Sequence, residues 1–401
     1  MSADGKRVYV VGTADTKGAE LQYVKALIEA TGTRAVLVDV GTRPSNVAAG
    51  VTARDVAALH PQGEHHVLAC NDRGLAIEAM GQAFARFISS RSDVAGVIGL
   101  GGSGGTSIVT TGLQRLAVGV PKIMVSTLAA GDVKAFVGAS DITMMYSVTD
   151  VAGLNRISRV VLGNAAHAMA GMVQNRIPGA QMKPAIGLTM FGVTTPCVTR
   201  VAQQLSEDYD CLVFHATGTG GQSMEKLIDS GMLVGVIDAT TTEVCDLIVG
   251  GVLSAGEDRL GAVARTGIPY VGSAGALDMV NFWSIDSVPR QFADRNLYRH
   301  TAQVTLMRTT ADECRAIGNW IGRKLNDCNG PVRFLIPEKG VSAIDAPGQP
   351  FFDPQADAAL FEALEQTVEP TEMRRVIRLP LHINDPAFAD ALAQHFLALH
   401  A

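Results

Sequence analysis

The sequence predicts an α/β protein made of two doubly wound (Rossmann-like) parallel-sheet domains with flanking helices. Its 401 residues exceed what one hydrophobic core usually serves, which indicates two domains. Hydrophobic residues make up 47% of the chain against 18% charged and 5% aromatic, a profile typical of buried parallel strands covered by helices. The order of strand, polar or glycine-rich loop, and helix recurs in both halves of the chain.

The net charge and the spacing of the cysteines exclude some classes of function. The formal net charge is −6 and the lysines and arginines are scattered, so the chain lacks the basic surface that direct nucleic-acid binding needs. The six cysteines form no CxxC pair, which favours thiols in a reducing compartment and gives no sign of structural zinc. The amino terminus lacks a signal-peptide pattern, and no uncharged apolar run reaches about 18 residues. We therefore expect a cytoplasmic protein with no membrane segment.

The first element is a strand over Val8–Val11 that ends at Gly12. A helix follows, because the apolar residues between positions 21 and 28 fall on one helical face. The next strand, RAVLVDVG, carries Asp39 near its carboxyl end. These three elements together have the length of a βαβ crossover.

The loop GTADTKG, which begins at Gly12, differs from the known nucleotide motifs. It lacks the third glycine of the dinucleotide fingerprint, and Lys17 is followed by glycine rather than Ser or Thr, so it is not a Walker A loop. Thr13, Thr16 and Lys17 are nevertheless candidates to contact phosphate oxygens, and Asp15 is the candidate Mg²⁺ ligand. The alternative is that Asp15 or Thr16 only caps the helix.

The stretch Val94–Arg115 carries the main functional prediction. It begins as a buried strand, passes through five glycines between positions 99 and 105, and resumes helical spacing at Ile108. Such a loop lets the backbone approach an anion, and the amides at a helix start favour a phosphate. Ser103, Thr106 and Ser107 add hydroxyl groups. The alternative is a tight strand-to-helix turn without any ligand, although such a turn needs only one or two glycines.

A further strand over PKIMVST ends at Ser126 and Thr127. Loops at the carboxyl ends of parallel strands share one edge of the sheet, where ligands bind at the switch in strand order. We therefore expect these loops to converge on one nucleotide-sized ligand. The predicted nucleotide contacts are Gly12, Thr13, Asp15, Thr16, Lys17, Asp39, Gly101, Gly102, Ser103, Gly104, Gly105, Thr106, Ser107 and Thr127.

Outside these loops, the first domain is predicted to contain a polar connector, two further helices and a boundary segment. The connector between positions 42 and 70 has a short helical stretch and contains His60, His65 and His66, which we expect to be solvated rather than metal-bound. Helices follow over residues 74–88 and from Leu154 onward. The segment RIPGAQMKP is rich in proline and glycine and places the domain boundary between residues 177 and 178, giving domains 1–177 and 178–401.

The second half repeats the pattern of strand, loop and helix, with a second glycine loop in HATGTGGQSME. Its helix start is predicted to bind an anion. The predicted contacts of this second site are Thr217, Gly218, Thr219, Gly220, Gly221 and Ser223. Glu243 and the triplet Glu257–Arg259 are further charged candidates, although such charges are more often solvated or capping. Further on, a strand and the loop PEKG precede a helix with Pro354 in its first turn after an aspartate cap.

Five segments resemble the Tm-one-like ATP-binding family, which is named for the amino-terminal half of a plant tomato mosaic virus resistance protein and has bacterial relatives in an uncharacterised protein family. They are VVGTADTKGAEL, IGLGGSGGTS, HATGTGGQSME, GSAGALDMVNF and PEKGVSAIDAPGQPFFDPQADAALF, and together they extend over nearly the whole chain. The resemblance implies two α/β domains, ATP bound with Mg²⁺, and homodimers. It also implies that the nucleotide contacts the loops Gly12–Lys17 and Gly101–Ser107.

Three classes of function follow from this reading. The first, which we favour, is an ATP-binding protein whose biochemical output is unknown. The second is an ATP-dependent enzyme that transfers a phosphoryl group, or ligates, onto a small anionic metabolite bound at the second glycine loop in a cleft between the domains. The third is a nucleotide-sensing interaction module without chemistry. ATP turnover in the presence of metabolites would separate the second class from the other two.

Overall fold

The computed structural model describes residues 5–175 and 182–400. Contacts divide the chain into two compact units, Met1–Gly179 and Ala180–Ala401. Each unit contains its own parallel sheet and its own hydrophobic cores, so the prediction of two α/β domains is confirmed. The predicted boundary between residues 177 and 178 lies outside the described residues.

The first unit contains a five-stranded sheet in which every neighbouring pair of strands is parallel. The first four strands along the chain are short and rich in Val, Ile and Gly, and their central residues are buried on both faces, as is usual in a parallel sheet, whereas the residues of the fifth strand are half-buried or exposed. They are β1 (Arg7–Gly12), β2 (Ala35–Asp39), β3 (Val94–Gly101), β4 (Lys122–Ser126) and β5 (Thr143–Tyr146). Their order across the sheet is β2-β1-β3-β4-β5.

Helices cover both faces of this sheet. They are α1 (Ala14–Ala30), α2 (Ala53–Ala57), α3 (Glu64–Leu68), α4 (Arg73–Ser89), α5 (Ser103–Leu113), α6 (Lys134–Val137) and α7 (Arg156–Gln174). Helices α1 and α7 share one hydrophobic core with the sheet, whereas α4 and α5 belong to the core on the opposite face. The unit is therefore doubly wound, as predicted.

Strand β1 lies at the point where the strand order reverses. At the carboxyl end of β1, Gly12 pairs with Asp39 of β2 on one side and with Leu100 of β3 on the other. The chain leaves β1 for α1 on one face and leaves β3 for α5 on the opposite face. A crevice of this kind, outside the carboxyl ends of the strands, is the usual ligand position in an open α/β sheet.

The second unit contains a six-stranded parallel sheet and a small antiparallel sheet. The strands are β6 (Ala185–Met190), β7 (Asp210–His215), β8 (Gly235–Thr240), β9 (Tyr270–Gly275), β10 (Met279–Phe282), β11 (Leu297–Arg299), β12 (Thr305–Arg308), β13 (Val332–Pro337) and β14 (Arg374–Leu379). The parallel sheet has the order β14-β13-β9-β8-β6-β7, and the antiparallel sheet has the order β10-β12-β11. The parallel strands therefore repeat the arrangement of the first unit, with β6 where the order reverses.

Helices again lie on both faces of the parallel sheet. They are α8 (Thr195–Leu205), α9 (Thr219–Asp229), α10 (Glu243–Val249), α11 (Gly261–Thr266), α12 (Ala311–Asn326), α13 (Pro354–Thr367) and α14 (Pro386–His400). The predicted start of α13 is confirmed, because the Asp353 side chain accepts hydrogen bonds from the amides of Gln355 and Ala356, with Pro354 as the first helical residue. In the described ranges, no helix is long and apolar enough to cross a membrane.

The structure differs from the predictions in several short elements. The connector after β2 contains α3, and His60 is buried and stacks on His66 with ring centroids 4.8 Å apart, so the expectation that His60 is solvated was wrong. Strands β5 and β10–β12 were not predicted. Strands of three or four residues are too short to show the alternation from which strands are recognised.

Candidate functional site

The amino terminus of α5 is a helix start at which the protein provides no anion of its own in the described residues. No acidic residue lies in its first turn, and its N-cap, Gly102, has no side chain to accept a hydrogen bond. Among the described residues, none accepts a hydrogen bond from the amides of Ser103, Gly104 or Gly105. These amides lie at the positive end of the helix dipole, where an anion is stabilised.

The loop glycines meet different surroundings. A Cβ at Gly102 would have only the Thr127 hydroxyl nearby, at 3.8 Å, and the backbone of Gly102 is extended with φ −83° and ψ −158°. A Cβ at Gly101 would stand 2.9 Å from the Cα of Gly105, and one at Gly104 would stand 2.8 Å from Ile77 Cδ1. Gly101 is therefore required for the turn itself, whereas Gly102 borders open space beside Thr127.

The hydroxyl groups of the loop between β3 and α5 differ in their exposure to solvent. Thr106 is fully buried, and its hydroxyl lies 2.7 Å from that of Ser126 at the end of β4. This bond fastens the loop to the neighbouring strand, so Thr106 is a structural residue rather than an exposed phosphate contact. Ser103 is exposed, and the half-buried Ser107 donates a hydrogen bond to the Ser103 carbonyl oxygen at 3.1 Å.

Asp39 has a role that the sequence did not predict. It is buried, and its Oδ1 accepts hydrogen bonds from the amides of Ala14, at 2.9 Å, and Gly41, at 2.8 Å. Because Ala14 is the first residue of α1, this carboxylate caps that helix. The amino terminus of α1 is therefore already next to an anion, and only Oδ2 of Asp39 is left for the predicted nucleotide contact.

Asp15 carries a buried carboxylate oxygen, Oδ1, that has no hydrogen-bond partner in the described part of the chain. A Cβ at Gly41 would stand 3.0 Å from this atom and 3.0 Å from Asp39 Oδ1, so the two carboxylates flank the same point. Burial, and then the charge of Asp39, raises the pKa of Asp15. A cation would relieve both effects, and Mg²⁺ in nucleotide sites is commonly held by one or two carboxylates together with phosphate oxygens. The residues present fit that pattern.

The remaining predicted residues of this loop lie at the start of α1. The hydroxyls of Thr13 and Thr16 are 2.9 Å apart and bind each other. Lys17 is half-buried and non-helical, with φ −125° and ψ 17°, so the helix is kinked at this residue. Neither Asp15 nor Thr16 is the N-cap, which is Thr13, and the Thr13 side chain makes no capping bond.

The loops that follow β1, β3 and β4 meet at one edge of the first sheet, because these strands are parallel and neighbour one another in that order. The amide of Thr127 donates to the carbonyl oxygen of Gly101, which joins the loop after β4 to the loop after β3. Gly12 lies so close to β3 that a Cβ there would stand 2.9 Å from the Leu100 carbonyl oxygen. The sequence predictions for these loops therefore fall on a common surface.

The second glycine loop is different, because the protein supplies its own anion. Oε1 of Glu243 accepts hydrogen bonds from the amides of Gly218, at 2.7 Å, and Gly221, at 3.0 Å. Gly220 and Gly221 admit no Cβ, since one would stand 1.7 Å from the His215 carbonyl oxygen and the other 2.1 Å from Glu243 Oε2. The prediction that the Gly218 and Gly221 amides bind an external anion is therefore corrected.

Two further residues predicted for that second site, Thr217 and Ser223, also form hydrogen bonds within the loop. The Thr217 amide donates to the His215 carbonyl oxygen at 2.7 Å, and the Ser223 hydroxyl donates to the Thr219 carbonyl oxygen at 2.8 Å. The glycines of this loop are therefore explained by close packing and by the internal carboxylate.

Glu243 belongs to a buried charge network around Arg259. The guanidinium donates to Glu243 Oε2 at 2.9 Å, to Asp238 Oδ1 at 2.7 Å and to Glu225 Oε1 at 3.2 Å. All four side chains are at least nine-tenths buried. The expectation that the triplet containing Arg259 is solvated or capping was therefore wrong for Arg259. Burial raises the pKa values of Glu225 and Glu243, and Arg259 opposes that rise.

No sequence motif predicts this charge network. Its members are separated by 5 to 34 positions along the chain, and none of them forms a recognisable motif with the others. One usable signal was Glu243 at the start of a helix directly after a threonine-rich strand end. In the described residues, no group of three or more His, Cys, Asp or Glu side chains is arranged to hold a metal ion.

The fold and the site define a class: a two-unit, doubly wound α/β protein with an open helix amino terminus at the switch point of its first sheet. Comparison with known families gives the particular relationship. The N-terminal domain of the uncharacterised protein family UPF0261 matches residues 6–178, and the C-terminal domain of that family matches residues 183–400. The chain belongs to this family.

Its relatives occur in bacteria and in a plant. The chain is 65% identical over 386 residues to a UPF0261 protein of Rhizobium meliloti (strain 1021), covering 96% of this chain and 97% of that protein. It is 46% identical over 398 residues to a UPF0261 protein of Clostridium tetani (strain Massachusetts / E88), covering 98% of each. It is 42% identical over 423 residues to the ToMV resistance protein Tm-1(GCR237) of Solanum lycopersicum, covering 99% of this chain but 56% of that protein.

Among solved structures, a glycosyltransferase of Streptomyces sp. SF2575 matches with a TM-score of 0.17 and 10% identity, covering 67% of this chain and 81% of that chain. A likeness of this size carries no argument about function.

Proposed function

We propose that this protein binds ATP together with Mg²⁺ at the carboxyl edge of its first sheet. The observation that supports the proposal is the amino terminus of α5, whose first amides have no protein acceptor in the described residues and which follows a strand at the topological switch. The choice of ATP among nucleotides rests on the resemblance to an ATP-binding family, and the phosphate position rests on the geometry.

The three helix starts near glycine or polar loops support phosphate binding at α5 rather than elsewhere. The start of α1 is capped by Asp39, and the loop that starts α9 is filled by Glu243. An incoming polyphosphate would be repelled by these carboxylates, whereas α5 offers donors and no acidic residue in its first turn. Phosphate groups therefore fit the α5 terminus best.

The proposal gives each neighbouring residue a role. The amides of Ser103, Gly104 and Gly105 bind phosphate oxygens. The hydroxyl of Thr127 donates a further hydrogen bond from the loop after β4. Asp15 holds Mg²⁺, which would neutralise part of the phosphate charge when bound. Lys17 contributes a positive charge from the start of α1.

We propose binding without an assigned reaction. The enzyme alternative required an anionic substrate at the second glycine loop, and Glu243 already accepts from two amides of that loop. Incubation with ATP, Mg²⁺ and metabolite mixtures, followed by measurement of ADP, AMP and inorganic phosphate, distinguishes the two. The binding proposal predicts no turnover, and metabolite-dependent turnover would favour the enzyme.

Gly102 gives the sharpest test of the phosphate position. Gly102→Val adds a side chain where only Thr127 is near, so we expect the melting temperature to stay close to that of the parent. We expect ATP affinity, measured by isothermal titration calorimetry, to fall about tenfold or more, because the side chain would block backbone approach to the phosphates. Gly171→Val is the matched control, since a Cβ at Gly171 in α7 meets nothing within 4 Å.

Two outcomes would contradict the proposal. One is that the parent protein binds no ATP with Mg²⁺. The other is that Gly102→Val binds ATP as the parent does, which would move the nucleotide away from α5.

The homodimer implied by the family resemblance is part of the same proposal. Light scattering on the eluted protein should give twice the chain mass of 42.1 kDa. A mass of one chain would remove the dimer from the proposal without affecting the nucleotide site.

A further inference from the structure

The second unit contains a cavity that is separate from the proposed nucleotide site. It has a volume of about 410 Å³ and lies at the carboxyl ends of β13 and β14, beside the start of α13. Its lining includes Lys339, Phe352, Asp357, Phe361 and Arg378. Small-molecule sites are typically about 300–1,000 Å³, mostly apolar, and often lie at the carboxyl ends of parallel strands.

The walls of the cavity are apolar. Phe352 is 43% exposed, although the preceding Phe351 is fully buried, and Phe361 packs under the guanidinium of Arg378 with 5.8 Å between the Arg378 Cζ and the ring centroid. Pro347 and Pro354 complete this surface. An exposed phenylalanine facing a preformed cavity is a suitable contact for a flat apolar ligand.

The floor of the cavity is held rigidly by Arg308, which is almost fully buried. Its guanidinium donates to the carbonyl oxygen of Phe351 at 2.8 Å, to that of Asp353 at 3.3 Å and to Asp357 Oδ1 at 2.7 Å. These bonds fix the loop that carries Phe352 and the first turn of α13. A site whose walls are fixed in advance loses little entropy when a ligand binds.

Asp357 supplies a polar group at this floor. The residue is 7% exposed, and the hydrogen bonds among described residues use only its Oδ1, which leaves Oδ2 for the cavity that it lines. Burial, and then the charge of Asp345, raises the pKa of Asp357 to about 8. A carboxyl group that keeps its proton near neutral pH is able to donate a hydrogen bond to a ligand oxygen.

One cation at the rim, Lys339, is available to pair with an anionic ligand. Arg378 is paired with Glu365, at 2.7 Å and 2.6 Å, and lies 3.6 Å from Glu338. Lys339 is exposed and forms no ion pair with any described residue. Its ammonium group is therefore the one cation of the described lining whose charge is not already balanced by a carboxylate.

We infer that this cavity binds a small aromatic carboxylate. The ring would lie against Phe352 and Phe361, the carboxylate would pair with Lys339 at the rim, and a hydroxyl or carbonyl oxygen at the far end would bind Asp357. The segment PEKGVSAIDAPGQPFFDPQADAALF, which the nucleotide proposal leaves unexplained, contains most of these residues.

Ligand-observed NMR and calorimetry on the full chain without nucleotide test this inference. The probes are 4-hydroxybenzoate, benzoate and benzylamine, which share a benzene ring. The first two carry a carboxylate and the third an ammonium group, and only 4-hydroxybenzoate has a hydroxyl group opposite the carboxylate. We expect 4-hydroxybenzoate to bind most tightly, benzoate more weakly, and benzylamine not at all. Binding of benzylamine in preference to both carboxylates, or no binding of either carboxylate at millimolar concentration, would overturn the inference.

Two variants locate the binding. We expect Phe352→Ala and Lys339→Gln each to weaken 4-hydroxybenzoate binding by about tenfold. Both side chains are exposed, so the melting temperature should not change. Trp283→Ala and Lys324→Gln are the controls, because Trp283 is also exposed and neither residue lines the cavity. Equal binding by the parent and both cavity variants would place the ligand elsewhere and refute the site.

Discussion

At the scale of single residues, Asp15 is the group on which the proposed Mg²⁺ site depends most. Its Oδ1 is buried without a partner, and Asp39 lies on the other side of Gly41. The sequence predicted Asp15 as a Mg²⁺ ligand from its residue type and position. The sequence did not predict that Asp39 would be used to cap α1, because that contact joins residues 25 positions apart.

The Mg²⁺ role predicts how Asp15→Asn should behave. The amide keeps the shape of the side chain but removes the negative charge, so we expect ATP binding to become less dependent on Mg²⁺, with a loss of affinity mainly when Mg²⁺ is present. Titrations of ATP in Mg²⁺ and in EDTA measure this difference. An unchanged ratio of the two affinities would exclude Asp15 as the ligand.

A second residue of interest is Asp278 in the second unit. It is fully buried; its Oδ2 accepts a hydrogen bond from Ser342, and its Oδ1 has no partner in the described part of the chain. Burial, and then the charge of Asp345, raises the pKa of Asp278 to about 7. The sequence shows that an aspartate is present, but it does not show that Asp345 and Asp357 pair with Arg308, or that the charge of Asp278 also acts on this arginine.

The raised pKa predicts a pH dependence of stability. Below about pH 4 Asp278 is protonated in both states, whereas between about pH 4 and 7 the folded state keeps a proton that the unfolded state loses. The free energy of unfolding should therefore fall as the pH rises through this range. We expect Asp278→Asn to reduce that slope by up to about 1.4 kcal/mol per pH unit.

Urea unfolding at pH 5 and pH 8 measures this slope. The exposed Asp286 provides the control variant Asp286→Asn. A parent protein and an Asp278→Asn variant with the same pH slope would show that Asp278 is ionised in the folded state at neutral pH.

At the scale of elements, the two glycine loops show what a local sequence can and cannot predict. Both were recognised as strand, glycine loop and helix, and both have that structure at β3–α5 and β7–α9. Their sequences do not reveal that a carboxylate accepts from two amides at the start of α9, whereas no described residue accepts from the first three amides of α5. That difference is made by Glu243, which lies 22 residues after Gly221 in the chain and reaches the loop only in the folded protein.

Because the Glu243 carboxylate accepts hydrogen bonds from the second glycine loop, we expect Glu243→Ala to lower the stability of the protein strongly. The change leaves the amides of Gly218 and Gly221 without their acceptor and removes one partner of buried Arg259, so we expect the second unit to lose about 3 kcal/mol of stability. Denaturant unfolding measures the loss, and Glu257→Ala, at an exposed position, is the control. ATP affinity should be unchanged. A loss below about 1 kcal/mol would contradict the role given to this carboxylate.

At the scale of the whole molecule, each unit has the same strand arrangement, with the first strand of the unit between its second and third. The α/β class and the helices α1, α4, α5 and α7 were predictable because their apolar patterns are local. Strand order was not, because it depends on which strands pair across the sheet. The small antiparallel sheet was missed for the same reason, since β10 and β12 are short strands that pair across a long irregular connection.

The most direct measurement for the central claim is a crystal structure of the protein with a non-hydrolysable ATP analogue and Mg²⁺. We predict that the phosphate oxygens will lie within hydrogen-bonding distance of the amides of Ser103, Gly104 and Gly105, with the metal ion next to Asp15. A triphosphate bound at any other position, or an α5 terminus covered by the protein's own side chains with the analogue present, would contradict the claim.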